Sequence, residues 1–228
     1  VGNNYSRQAI TFGAAASRQI SNSGQVNFSQ ASGPWGTITH FAVMSASSSG
    51  NVLAVGQLTT SKSVVSGNTP SVAIGEVDIL FQTLGTKGTG ENISDYLANK
   101  ILDFAFRNQT FTQPSTYVGL WTATLADAST GATAGECSGN SYARKQVNVN
   151  GGSSPTWKLA ASQIVENLHD ITMATPSGTW GTVVSMAILD ASSSGNILFY
   201  DNTNVVDQAV AANDTVRFAA NGLDCSLT

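Results

Sequence analysis

The chain has 228 residues, 41% hydrophobic and only 11% charged, whereas an ordinary soluble domain carries roughly 25% charged residues. Ten Lys and Arg against fourteen Asp and Glu give a formal charge of -4, with no basic run to neutralise phosphates, so nucleic acid is not expected as a partner. The longest apolar stretches, such as residues 183–189, are interrupted by Ser185 and fall far short of a membrane span of roughly 18 to 20 residues. Cys137 and Cys225 show neither CxxC nor Cys/His zinc spacing.

In chain order, the first block is Gly2-Asn3-Asn4-Tyr5-Ser6-Arg7-Gln8; residues 1–11 have no charged head followed by a long apolar stretch, so no secretion signal is expected there. Pro34-Trp35-Gly36-Thr37-Ile38 follows, a tight turn feeding an apolar strand that carries His40. Ala46-Ser47-Ser48-Ser49-Gly50-Asn51-Val52-Leu53 reads as a hairpin, since Gly and Asn tolerate the positive φ of tight connections. Residues 83–91 read as a short flexible linker, with three glycines between Thr83 and Gly90. Beyond it, Ser94 can cap an amphipathic helix over about 93–108, with Asp95 in its first turn and Leu97, Ile101, Leu102 and Ala105 on one face. After Pro114, Tyr117-Val118-Gly119-Leu120-Trp121-Thr122 has strand composition, and a polar loop then runs to Cys137.

From there the chain repeats itself. Gly139-Asn140-Ser141-Tyr142-Ala143-Arg144-Lys145 returns the opening block at an offset of 137. Thr179-Trp180-Gly181-Thr182-Val183 and Ala191-Ser192-Ser193-Ser194-Gly195-Asn196-Ile197-Leu198 return the later blocks at an offset of 145. About eight extra residues therefore precede the second Trp-Gly-Thr, and Trp157 is expected to sit in that insertion. Strands are expected over 144–150, around this insertion, and over 183–190, 197–200 and 215–227. Residues 1–82 thus correspond to 137–228, while about 93–136 has no counterpart in the chain, so the first copy is expected to lack the opening part of its module. The fold class that follows is mainly β: two tandem β-sandwich or barrel-like modules, 1–82 and 92–228, with one amphipathic helix opening the second.

Chemistry-bearing residues are sparse. His40 aligns with Ser185 in the second copy, so a strand-face histidine is expected rather than a general base. His169 with Glu166 and Asp170 imitates an acid-base cluster, and a solvated loop explains it better. No Gly-x-Ser-x-Gly elbow or Ser-x-x-Lys element occurs. Asp190-x-Ser192-x-Ser194-Gly195 with Asp201 imitates calcium-loop spacing, but Ser45 stands where Asp190 does in the other copy. No catalytic residue, metal or cofactor is therefore expected. Trp35, Trp180 and Trp121 are read as aromatics that close the β core, the alternative for the first two being a platform for sugar or a partner.

Taken in order, the 94–103 helix, the Tyr117-Val118-Gly119-Leu120-Trp121 strand, the Asn140 to Arg144 block, Trp-Gly-Thr-Val and the Ala-Ser-Ser-Ser-Gly-Asn hairpin resemble a family of tailed-bacteriophage structural proteins, of tail-fibre or capsid-decoration type. The resemblance implies a non-enzymatic virion building block assembled in the bacterial cytoplasm. Its partners would be capsid or tail subunits and other copies of itself, as a homo-oligomer, with a host-surface glycan as the alternative and neither nucleic acid nor membrane. It also implies a reducing site of assembly, where Cys137 and Cys225 stay thiols.

Overall fold

The computed structural model describes residues 2–81, 92–162, 164–203, 205 and 207–226; the linker expected at 83–91 lies outside the described residues. The fold is mainly β with one helix, its sheets are sandwich-like, and no sheet closes into a barrel among the described residues. Two compact units are present, Val1–Phe81 with Asn99–Phe111, and Gln82–Ala98 with Thr112–Thr228.

In the first unit, β1 (Gln19–Ser21), β2 (Val26–Asn27), β3 (Gly36–Met44), β4 (Val52–Val64), β5 (Ser71–Val72) and β6 (Asp78–Leu80) form three antiparallel pairs: β1 with β6, β2 with β5, and β3 with β4. Phe12, Ile20, Val43, Val77 and Leu102 make its core. Leu102 comes from the helix α1 (Asp95–Arg107), which follows β7 (Asn92–Ile93). The helical prediction is met within two residues because its signals are local. Ser94 accepts from Leu97 N–H at 3.2 Å and donates to the Ile197 carbonyl, while Asp95 and Arg107 each suit the nearer end of the helix dipole. The residues of α1 from Asn99 on belong to the first unit, where Asn99 accepts from Arg18 N–H, Asp103 accepts from Ala15 N–H, and Phe106 packs on Phe12 at 5.3 Å.

The second unit adds β8 (Thr116–Trp121), β9 (Lys145–Val147), β10 (Ile164–Glu166), β11 (Ile171–Thr172), β12 (Gly181–Val183), β13 (Ser185–Leu189), β14 (Ile197–Asp201), β15 (Gln208–Val210), β16 (Arg217–Phe218) and β17 (Asp224–Ser226). Three antiparallel pairs mirror those of the first unit: Val165 faces Cys225 as Ile20 faces Ile79, Ile171 faces Phe218 as Val26 faces Val72, and Gly181 faces Val210 as Gly36 faces Val64. A five-stranded sheet, β7-β14-β13-β8-β9, has no counterpart of that width in the first unit, where β3 pairs with β4 alone among the described strands. Trp121, Ala187, Leu189, Ile197 and Tyr200 of its strands pack with Leu125, from the loop after β8, into one core cluster.

Several expected strands are shorter than predicted. The 215–227 stretch is two short strands, β16 and β17, because Asn221 at φ 60° turns the chain between them. The 144–150 strand ends at Val147, and the insertion is held by bridges from Asn148 to Thr156 and from Trp157 to Asn167. Both Ser-rich connections are hairpins as read: Ser49 and Gly50 lie at φ 51° and 72°, Ser194 and Gly195 at 48° and 75°.

Candidate functional site

The densest polar arrangement surrounds Arg144, and each element that builds it is set by local sequence. Asn140 and Ser141 turn the chain with positive φ ahead of β9, and Asn140 fixes the turn by donating to the Thr179 carbonyl at 2.8 Å. Arg144 follows two residues after Tyr142 and uses all its guanidinium N–H groups. Nε and one Nη donate to the two oxygens of Glu136, both at 2.7 Å. The remaining N–H groups reach the carbonyls of Gly131 at 2.9 Å, Ala191 at 2.8 Å and Ser194 at 2.7 Å. The side chain is 2% exposed and its guanidinium lies 5.8 Å from the Trp121 ring centroid. One cation thus ties the Ser-rich hairpin, the 131–136 loop and β8 together.

Tyr142 completes the cluster. Its hydroxyl accepts from Leu120 N–H at 2.9 Å and donates to Glu136 at 3.1 Å. Burial, reinforced by the Glu136 charge, pushes its ionisation far above the ordinary phenol range, so it stays a donor at every physiological pH. Burial, with Glu136 adjacent, likewise pushes the Cys137 thiol up to about 11. Cys137 and Cys225 are both buried thiols.

The first unit carries half of this arrangement. Arg7 donates to the Ala46 and Ser49 carbonyls at 2.9 and 2.6 Å, as Arg144 does to Ala191 and Ser194. Tyr5 meets Trp35 edge-on at 5.2 Å, as Tyr142 meets Trp180 at 5.1 Å. Trp35 and Trp180 donate to the Asn3 and Asn140 carbonyls at 2.8 and 3.0 Å. No carboxylate pairs with Arg7 among the described residues, and Tyr5 is 39% exposed. A groove of about 410 Å³ opens there, lined by Tyr5, Arg7, Ile10, Phe41, Val43 and Met44 among others.

The residues singled out in sequence fall elsewhere. Trp121 and Trp180 are buried and Trp35 is half-buried. His40 is exposed on β3, beside the Thr39 hydroxyl at 2.9 Å. His169 lies in an exposed bend next to the Thr156 hydroxyl, while Glu166 pairs with Lys158 at 2.7 Å and Asp170 with Arg217 at 2.6 Å. The three therefore do not act as one group. Hydrogen bonds from Ala220 N–H and Arg217 hold the Asp170 carboxyl below its usual range. Asp190 closes its own hairpin, accepting from Asn196 N–H and Nδ2 at 2.6 and 2.7 Å. Ser45 does the same for Asn51 N–H at 2.8 Å, which is why Ser and Asp interchange there.

Sequence reasoning overlooked Glu136, and with it the reason for the recurring Tyr and Arg. It also overlooked Asn22 and Asn167, each buried and each tying a loop through two donated bonds and one accepted. Both asparagines stand at the Trp-Gly-Thr offset, a signal that a residue-by-residue alignment of the copies exposes.

No helix among the described residues is long and apolar enough to cross a membrane. None of the curated proteins matches the chain. A family model described as podophage GP4 fiber I protein gp80 matches residues 1–80 and 92–226, spanning both units and every block that carried the phage resemblance. The chain therefore belongs to the podophage GP4 fiber I protein gp80 family of phage fibre structural proteins.

Proposed function

We propose that this fibre-family protein is a non-enzymatic structural component that binds neighbouring virion subunits, as part of a fibre or as a capsid decoration, through two units that are copies of one module. The observation that carries the reading is the contrast between matching strands. Ile197, Leu198 and Tyr200 of β14 are 0–5% exposed, whereas Val52, Leu53 and Val55 at the matching positions of β4 are 56%, 44% and 74% exposed. An apolar row of this kind marks a contact surface rather than a solvent face. The shared pairings, hairpins and Arg and Asn ties support the duplication. The polar side chains support the non-enzymatic part, since Glu136, Asp190, Glu166 and Asp170 each serve a turn or an ion pair.

A second reading, recognition of a surface glycan, is favoured by the small cleft formed by Asn3, Tyr5, Pro34 and Trp35, where an aromatic pair lies beside an amide. Particles lacking the chain separate the two. Subunit binding requires loss of heat resistance in those particles with adsorption less affected. Loss of adsorption at unchanged heat resistance transfers the role to glycan recognition, and loss of polysaccharide degradation refutes the non-enzymatic assignment.

A further inference from the structure

We propose that Asn150 is a modification site: its side-chain amide converts spontaneously to a carboxylate through a succinimide formed with Gly151, while the fold protects the chain's other Asn-Gly pair, Asn221-Gly222.

Ring closure meets least steric resistance at Asn-Gly, because glycine brings no Cβ against the incoming carbonyl. The sequence contains two such pairs, both in the second unit. In the reaction the glycine backbone nitrogen attacks Cγ of the asparagine. The N–Cγ bond forms, the Cγ–Nδ2 bond breaks, and Nδ2 leaves as ammonia with the proton given up by the glycine N–H. Water then opens the five-membered ring at either carbonyl, leaving aspartate or isoaspartate. The requirement is geometric: a glycine N–H free of hydrogen bonds, on a backbone that can swing it onto Cγ.

Asn150 meets both conditions. Residues 149–152 form an exposed turn closed by the Gly152 N–H donating to the Val149 carbonyl at 3.0 Å. Gly151 lies inside it at φ 82°, with open space where a Cβ would stand, and its N–H has no hydrogen-bond partner among the described residues. The Asn150 side chain is restrained by a single bond, Nδ2 donating to the Trp157 carbonyl at 3.1 Å. Asn221 meets neither condition. Its N–H donates to the Asn167 carbonyl, the Gly222 N–H to the Ala219 carbonyl and the Leu223 N–H to Asn167 Oδ1, each at 2.9 Å. Three consecutive amides are held, two of them by the buried Asn167, so the Gly222 nitrogen attacks only after this loop opens.

The product changes the insertion. A carboxylate accepts but does not donate, so conversion removes the tie to Trp157 and sets a negative charge beside the exposed Val149. The first unit holds no Asn-Gly pair and gains no charge by this route.

The test incubates the full chain in warm, mildly alkaline buffer, folded or in urea, and maps both sites by peptide mass spectrometry with isoaspartate detection. In the folded chain Asn150 should convert on the order of tenfold faster than Asn221, the factor expected from the hydrogen bond that Gly222 must release. Both aspartate and isoaspartate should appear at position 150, and in urea the two rates should converge. Asn150→Gln, whose longer side chain does not close a five-membered ring, should abolish the mass shift of that peptide. Equal rates in the folded chain, or a faster Asn221, overturn the proposal. Aspartate without isoaspartate at position 150 also overturns it, since that product comes from direct hydrolysis.

Discussion

Removing the Glu136 carboxylate should be among the most damaging single changes in the second unit. In Glu136→Ala, the Arg144 guanidinium stays in place, 2% exposed, with two of its N–H groups deprived of partners at 2.7 Å. The Tyr142 hydroxyl loses its acceptor as well. Breaking a buried pair by deleting one partner costs about 3–5 kcal/mol, because the remaining charge is stranded away from water. At about 2–4 °C per kcal/mol for a unit of this size, the transition should fall by roughly 6 to 20 °C. Arg7→Ala provides the internal contrast: Arg7 bonds two hairpin carbonyls, has no carboxylate among the described residues and is only partly buried, so about 1 kcal/mol is expected. The assay is urea and thermal unfolding followed by tryptophan fluorescence, repeated at high salt, which should not close the gap because the pair is shielded from solvent. If Glu136→Ala costs no more than Arg7→Ala, the cluster does not tie β8 to the hairpin in the way described.

Further consequences can be measured on the same protein. The Cys137 thiol is raised to about 11 from 9.0, so the fold favours its protonated form; that contribution is complete below about pH 9 and is lost as pH rises toward 11, amounting to about 2–3 kcal/mol. Unfolding curves across that range should show the slope, and Cys137→Ser should remove it. Gly131→Ala would set a Cβ 1.9 Å from the Ser194 carbonyl oxygen, forcing backbone movement at a loss of about 3 kcal/mol or more, whereas Gly13→Ala meets only ordinary contacts from 3.8 Å and should stay within about 1 kcal/mol in thermal unfolding. Asn22→Ala and Asn167→Ala each strand three backbone partners, so equal losses of about 2–4 kcal/mol are expected, and unequal ones would break the equivalence of the two loops.

What the sequence made legible were features whose causes are local. Ser94 announces α1 because a cap needs only three residues, and Gly50 and Gly195 announce the hairpins because positive φ restricts composition. The pairs β1 with β6 and β10 with β17 escaped because strands of three residues are too short to show alternation. The division of α1 escaped for a different reason: Leu102 and Ala98 share an apolar stripe, and no periodicity says that Leu102 serves the core of the first unit while Ala98 is grouped with the second. Glu136 was hidden by its setting, a lone carboxylate in a Gly- and Ala-rich loop, whose meaning appears only when Arg144 is brought to it from the other side of the turn.

The contrast between β4 and β14 bears on how such a surface can persist. Both strands are apolar on the same positions, and both start from the same kind of Ser-rich hairpin, so strand propensity does not explain why one is buried and the other is not. The cover explains it: β7 lies against β14 through Ile93 and Phe199, and β8 lies against β13, whereas β3 and β4 have only each other among the described strands. Fully burying a side chain such as Val or Leu is worth about 1.5–3 kcal/mol, so covering Val52, Leu53 and Val55 together would release several kcal/mol. That is enough to shift an association constant by several powers of ten before ordering costs are subtracted. A row of residues with that much unrealised burial supports the proposed contact of the first unit with neighbouring subunits. The second unit has already realised that burial within its own chain.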